Sequence, residues 1–133
     1  MKEVFADTFY FLALLDRRDA HHRHVLDFAT NFRGPLVTTR WVLVEVANAL
    51  GRSPVRATAA QMLQRVEEDA GFRVILSSDR LYERGVALYA ARPDKEWSLT
   101  DCISFVVMTD ERIADALTGD RHFEQAGFRV LLV

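Results

Sequence analysis

Residues 4–15 read Val4-Phe5-Ala6-Asp7-Thr8-Phe9-Tyr10-Phe11-Leu12-Ala13-Leu14-Leu15: three apolar residues, one acid, then a run without charge. A short apolar stretch that stops at an aspartate predicts a strand, Val4 to Ala6, with the acid at its carboxyl end. The run from Thr8 to Leu15 predicts a helix behind it, so the chain opens with a βα unit.

The same alternation continues outward. After the polar break Asp16-Arg17-Arg18-Asp19, a second helix is expected from about Ala20 to Phe32, stopped by Gly34-Pro35. Pro35 to Thr38 reads as a strand, Thr39 as the cap of a helix carrying Trp41 through Leu50, and Gly51 as its end. Ser53-Pro54 predicts the start of a helix running to the Ala70-Gly71 boundary, and Phe72 to Leu76 a strand. Ser78 opens a helix to about Ala91, residues 92–97 form a polar loop, and Ser98 caps a helix from Leu99 to about Asp110. A strand from Ala114 to Leu117, a turn at Thr118-Gly119-Asp120 and a closing strand from Phe128 to Val133 complete the pattern. Alternating strands and helices predict an α/β fold around a mainly parallel sheet.

With 133 residues, half of them apolar, the chain has room for one compact domain, taken as 1–133. Its formal charge is −2, from 17 basic and 19 acidic side chains, which excludes the broad positive field of a passive nucleic-acid binder. Cys102 is the only cysteine, so neither an intrachain disulfide nor a cysteine-rich zinc site is possible, and a cytoplasmic location is expected. The apolar stretch Val4 to Leu15 is too short to span a bilayer and carries no basic leader, so no signal peptide or membrane association is expected.

Ligands of open α/β sheets bind outside the carboxyl ends of the strands, so the position of the acids matters more than their number. Asp7 follows the first strand, Asp120 follows the fourth, and Asp101 lies in the first turn of a helix entering that edge. Each also has an ordinary reading: Asp7 as a helix cap, Asp101 as the return arm of a Ser98 capping box, Asp120 as a turn residue. Glu45 is different. It sits in Trp41-Val42-Leu43-Val44-Glu45-Val46-Ala47, apolar almost all round, with no basic residue three or four positions away and Asn48 on its own face. Four carboxylates converging without lysine or arginine repel one another unless cations fill the site, and oxygen-only ligands select Mg²⁺ or Mn²⁺. Two such ions roughly 4 Å apart serve phosphodiester cleavage. His21, His22, His24 and His122 form no HExxH pattern, which argues against zinc, and Cys102 reads as a small core residue.

In order, the segments Val4 to Leu15 with Asp19 and His22, Thr38 to Leu50, Trp97-Ser98-Leu99-Thr100-Asp101-Cys102-Ile103-Ser104-Phe105, and Ala116-Leu117-Thr118-Gly119-Asp120-Arg121-His122-Phe123 resemble the PIN domain. Among its members they look most like the short VapC-type toxins of toxin–antitoxin pairs. The resemblance spans nearly the whole chain. It implies a five-stranded sheet flanked by helices on both faces, metal-dependent cleavage of single-stranded RNA, Asp7, Glu45, Asp101 and Asp120 as the metal-site acids, and Thr8 and Thr118 as supporting hydroxyls. It also implies a cognate antitoxin, for which the apolar residues Phe9, Tyr10, Phe11, Leu12, Val25 and Phe28 of the first two helices offer a groove. Self-association is a further expectation. Arg92, Lys95 and Arg121 are candidates for phosphate contact and Trp97 for base stacking, against solvated and core readings respectively. Asp94 is weighed as an outer acid of the site against a solvated loop. Two other functions stay open: an RNA-processing nuclease of the same fold without a toxin role, and a phosphoacceptor receiver domain. The receiver would require an acidic pair at the first strand and a lysine after the fifth, and neither is present.

Overall fold

The chain was analysed as a computed structural model that describes residues 2–132. Val4, Phe5 and Ala6 are all buried and form β1 (Val4–Ala6), the centre of a five-stranded sheet. It is followed by α1 (Thr8–Leu15), α2 (His22–Asn31), β2 (Leu36–Thr39), α3 (Arg40–Leu50), α4 (Arg56–Arg65), β3 (Phe72–Ile75), α5 (Asp79–Ala91), α6 (Leu99–Glu111), β4 (Asp115–Leu117), α7 (Arg121–Gln125) and β5 (Arg129–Val130). The strand order is β3-β2-β1-β4-β5 and every pairing is parallel.

This order fixes where a ligand can sit. The chain steps outward from β1 to β2 and β3, then returns to the other side of β1 for β4 and β5. Right-handed crossovers in the two directions put their helices on opposite faces of the sheet. The direction reverses between β1 and β4, where adjacent connections diverge and leave a crevice at the strands' carboxyl ends. Asp7 and Thr118 are the residues at that edge, and the Asp7 amide donates to the Leu117 carbonyl across it.

The core is apolar on both sides of the sheet. Phe5, Phe11, Val25, Val37, Val42, Val46, Phe123 and the α6 residues from Asp101 to Met108 are all buried. Such a fully enclosed turn of α6 explains its near-absence of amphipathic pattern in sequence. No helix among the described residues is long and apolar enough to cross a membrane.

Element boundaries move where local hydrogen bonding outcompetes pattern. Ser53 accepts from the Val55 amide and closes a turn around Pro54, so α4 starts at Arg56. It ends at Arg65 in a 3₁₀ turn, Val66–Glu68, instead of running on to Ala70. The closing strand is two residues long: Leu131 donates to Ala116 but Leu132 to Thr118, so the register jumps and the ladder ends. Val133, expected in that strand, lies outside the described residues. A larger correction concerns α1 and α2. Phe11 and Val25 are buried and Phe9 and Leu12 pack against the core, while Tyr10 and Phe28 line an open cleft of about 240 Å³ with Phe32 and Phe72, so only part of the expected apolar set faces a groove.

α5 lies along α6 at Gly85, where a Cβ would come within 2.4 Å of Ile103 Cγ1. Ile103 is itself buried and cannot move aside. Gly85→Ala gains helix propensity of about 1 kcal/mol but overpacks by roughly 1–3 kcal/mol. A net loss of stability is expected, read as a lower urea midpoint at unchanged m-value; an equal or higher midpoint would show that the helix pair has slack.

Candidate metal centre

Each acid is placed by a local rule and then used at long range. Asp7 occupies the N-cap position of α1, yet its side chain makes no capping bond. Instead the carboxylate, only 4% exposed, accepts from Thr118 Oγ1 at 3.0 Å. The Thr118 hydroxyl in turn accepts from the Asp120 amide at 3.0 Å, so one buried threonine ties the ends of β1 and β4 together. Gly119 between them lies close under Phe9: a Cβ there would come 2.6 Å from the tip of that ring, which would have to shift.

Asp101 performs the expected capping box, its Oδ2 accepting from the Ser98 amide at 3.1 Å while Ser98 Oγ accepts from its own amide at 3.0 Å. Asp120 caps α7, accepting from the His122 amide at 2.9 Å. These ordinary roles do not compete with a site. They hold both carboxylates in place. Glu45 is half-buried on α3, whose N-terminus is capped by Thr39, and its Oε1 accepts from Thr8 Oγ1 at 2.5 Å.

The tightest group is not the four acids. Asp101, Asp120 and His122 each offer a ligand atom, all within 4.8 Å of one another. His122 Nδ1 stands 3.1 Å from Asp101 Oδ2 and 3.4 Å from Asp120 Oδ1. The HExxH search overlooked this histidine because its partners come from 21 residues upstream and from the preceding turn. Its position two residues after Asp120, at the start of a short helix, was the available signal. Asp7 and Glu45 border the triad: Asp7 feels the charges of both Asp101 and Glu45.

Burial pushes the Asp7 carboxyl up to about 7; the charges of Asp101 and Glu45 add to this, while the Thr8 amide and Thr118 hydroxyl oppose it. Burial also raises Asp101, helped by Asp120 and opposed by the Ser98 amide and His122. Among the described residues no lysine or arginine forms an ion pair with Asp7, Glu45, Asp101 or Asp120. A distant arginine partner for Glu45 is therefore absent there. Crowded, partly dry carboxylates with an imidazole and no lysine or arginine paired to them suit a divalent cation.

The remaining candidates separate. Thr8 and Thr118 bond the acids; Asn48 is exposed and makes no hydrogen bond to them. Trp97 is core, 6% exposed, edge-on to Phe105 with Nε1 donating to Gln125 and Arg92 over its ring at 5.2 Å, so its faces are not free for a base. Arg92 pairs with Asp94 at 2.9 Å, and that guanidinium holds the Asp94 carboxyl at about 2, which removes Asp94 from the acidic group. Lys95 lines a cavity of about 410 Å³ with Tyr89, Trp97 and Cys102, and Arg121 is exposed at the first residue of α7 beside Asp120. His22 Nδ1 lies 2.7 Å from the Ala13 carbonyl and joins α2 to α1, and Cys102 is buried.

The family model of the PIN domain matches residues 4–129. Among solved structures the chain is similar to VapC20 of Mycobacterium tuberculosis, described as a sarcin-ricin loop cleaving toxin, with TM-score 0.87 and 25% identity over 98% of both chains. It is also similar in fold to a chain of a toxin–antitoxin complex from Klebsiella pneumoniae, with TM-score 0.64 and 17% identity over 96% of this chain and 95% of that one. No curated protein sequence matches it. The receiver-domain alternative falls to the family match.

Because the Asp7 carboxyl is raised in the fold, the metal-free protein holds that proton more tightly than the unfolded chain does. Its contribution to stability is intact below the unfolded value near 4 and is lost as pH rises toward about 7. Melts in EDTA should show wild type losing stability across that window, by a few kcal/mol at most, and Asp7→Asn losing less. Parallel pH profiles for the two proteins would show that Asp7 is not strained by burial.

Proposed function

The chain belongs to the PIN domain family, and on that premise we propose that it is a metal-dependent endoribonuclease cutting single-stranded RNA, the toxin of a toxin–antitoxin pair. The observation that carries this reading is the set of acids at the switch point between β1 and β4, with no basic partner and with a buried Asp7, on a fold shared over nearly its full length with an RNA-cleaving toxin. Mg²⁺ or Mn²⁺ held there supplies water activation and charge neutralisation at phosphorus.

The chain's own residues do the rest. Ser98 and the α7 amides hold Asp101 and Asp120 in fixed orientations, and Thr118 sets the distance between Asp7 and Asp120. Thr8 orients Glu45 by donating to it, leaving the other carboxylate oxygen for a cation. Arg121, beside the acids, meets the phosphate backbone, with Lys95 as a further contact. The protein partner is an antitoxin that covers exposed apolar side chains. On α5 these are Tyr82, Val86 and Tyr89, spaced four and three residues apart along one stripe.

Purified protein should cleave single-stranded RNA with Mg²⁺ or Mn²⁺, stop in EDTA, and be suppressed when co-expressed with a small protein encoded beside it. Glu45→Gln keeps an acceptor for Thr8, so stability should stay within about 1 kcal/mol while cleavage falls at least roughly 100-fold and metal affinity drops with it. Full cleavage in EDTA, or normal cleavage by Glu45→Gln, would refute the acidic site as the centre of catalysis. Cleavage that is lost with metal but never suppressed by a neighbouring protein would leave the nuclease and remove the toxin role.

A further inference from the structure

We infer that His122 is a direct nitrogen ligand of the divalent ion, so that the centre holds a mixed Asp101, Asp120 and His122 set and favours transition ions over Mg²⁺. This rests on the metal-dependent reading above and goes beyond the four-acid site. Its basis is the position of one atom. His122 Nδ1 faces both Asp101 Oδ2, at 3.1 Å, and Asp120 Oδ1, at 3.4 Å.

Both oxygens are fixed by backbone donors, Asp101 Oδ2 by the Ser98 amide and Asp120 Oδ1 by the His122 amide, so each carboxylate is held facing the imidazole nitrogen. A cation among them would be met by a lone pair from each of the three atoms. The two distances from Nδ1 agree with neighbouring corners of an octahedron, about 3.1 Å apart for metal–ligand bonds of about 2.2 Å, and all three atoms lie within 4.8 Å of one another. The ring is also held from behind. The His122 amide donates to Asp120 Oδ1, and the ring is about one quarter exposed, so little freedom remains to swing out.

Coordination through Nδ1 requires the proton on Nε2, where it points away from the carboxylates. The consequence is selectivity. Mg²⁺ is satisfied by oxygen and water and gains little from imidazole, whereas first-row transition ions bind nitrogen well. A chain of this fold with an acid or a small residue at position 122 would lack that bias.

The test uses the full chain loaded with Mn²⁺ alone and read by pulsed electron paramagnetic resonance, which detects a coupling from directly bound ¹⁴N. Wild type is expected to show imidazole nitrogen coupling and His122→Gln to lose it, which sets aside His21, His22 and His24 as its source. Calorimetric titration should show the Mn²⁺ to Mg²⁺ affinity ratio falling at least about fivefold in His122→Gln, with Mg²⁺ affinity nearly unchanged. Bound Mn²⁺ without nitrogen coupling in wild type overturns the inference and reduces His122 to a hydrogen-bond partner of Asp101, while leaving the nuclease reading intact. That result does not depend on how the variant folds. Coupling retained in His122→Gln overturns it equally, and failure of wild type to bind Mn²⁺ at all overturns both this inference and the reading beneath it.

Discussion

The burial of the Asp7 carboxylate is the constraint on which the site depends. It comes about because β1 is the central strand and Asp7, the residue just past it, cannot leave the sheet edge without breaking the bond from its amide to Leu117. A single hydroxyl donor, Thr118, meets the carboxylate, and the same hydroxyl takes the Asp120 amide. Parallel pairing of β1 with β4 therefore sets the distance between two acids that are 113 positions apart in sequence. Neither acid could be moved independently, since each is tied to a strand end that is also core.

The acids were legible in sequence because each sits at a structural landmark: a strand end, the third residue after a capping serine, a turn after an apolar run. Landmarks are local, and the chain announces them within a few residues. Their partners were not legible for the opposite reason. His122 meets Asp101 across two elements, and Trp97 meets Phe105 and Gln125 across the α6–α7 contact, so a reading limited to neighbours along the chain left one outside the site and the other undecided. The same limit overstated the free apolar surface of α1 and α2. A dense apolar helix looks like a docking face until the sheet, Phe72 and α3 are packed against it. α6 ends at Glu111, within a residue of the expected Asp110, although Arg112 takes the left-handed conformation, φ 58°, where glycine would have announced the end.

Glu45 was singled out on a premise that the fold supports only in part. The sequence suggests a helix apolar all round, in which a carboxylate is costly. In the fold Val44 is exposed and Glu45 only half-buried, so α3 has a solvent side and the cost is smaller than pattern implied. What singles out Glu45 is its bond from Thr8, the residue after Asp7, which brings α3 to the same edge as β1. Proximity to Asp7, more than burial, makes it part of the acidic group.

The distribution of charge closes the argument. Arg18, Arg40, Arg73, Arg84, Arg92 and Arg129 are each held by an acid elsewhere on the surface, most within salt bridges of about 3 Å. The protein thus spends much of its positive charge on local pairs and leaves the crevice anionic. A polyanionic substrate approaching that crevice meets repulsion that the surface does little to offset, because exposed pairs are nearly neutral at a distance and screened by salt. Cations bound in the crevice reverse the sign of the field where phosphate must sit. On the proposed reading an ion would do more than chemistry: it would be the condition for substrate to enter, and metal binding and RNA binding would be coupled through the acids of this crevice.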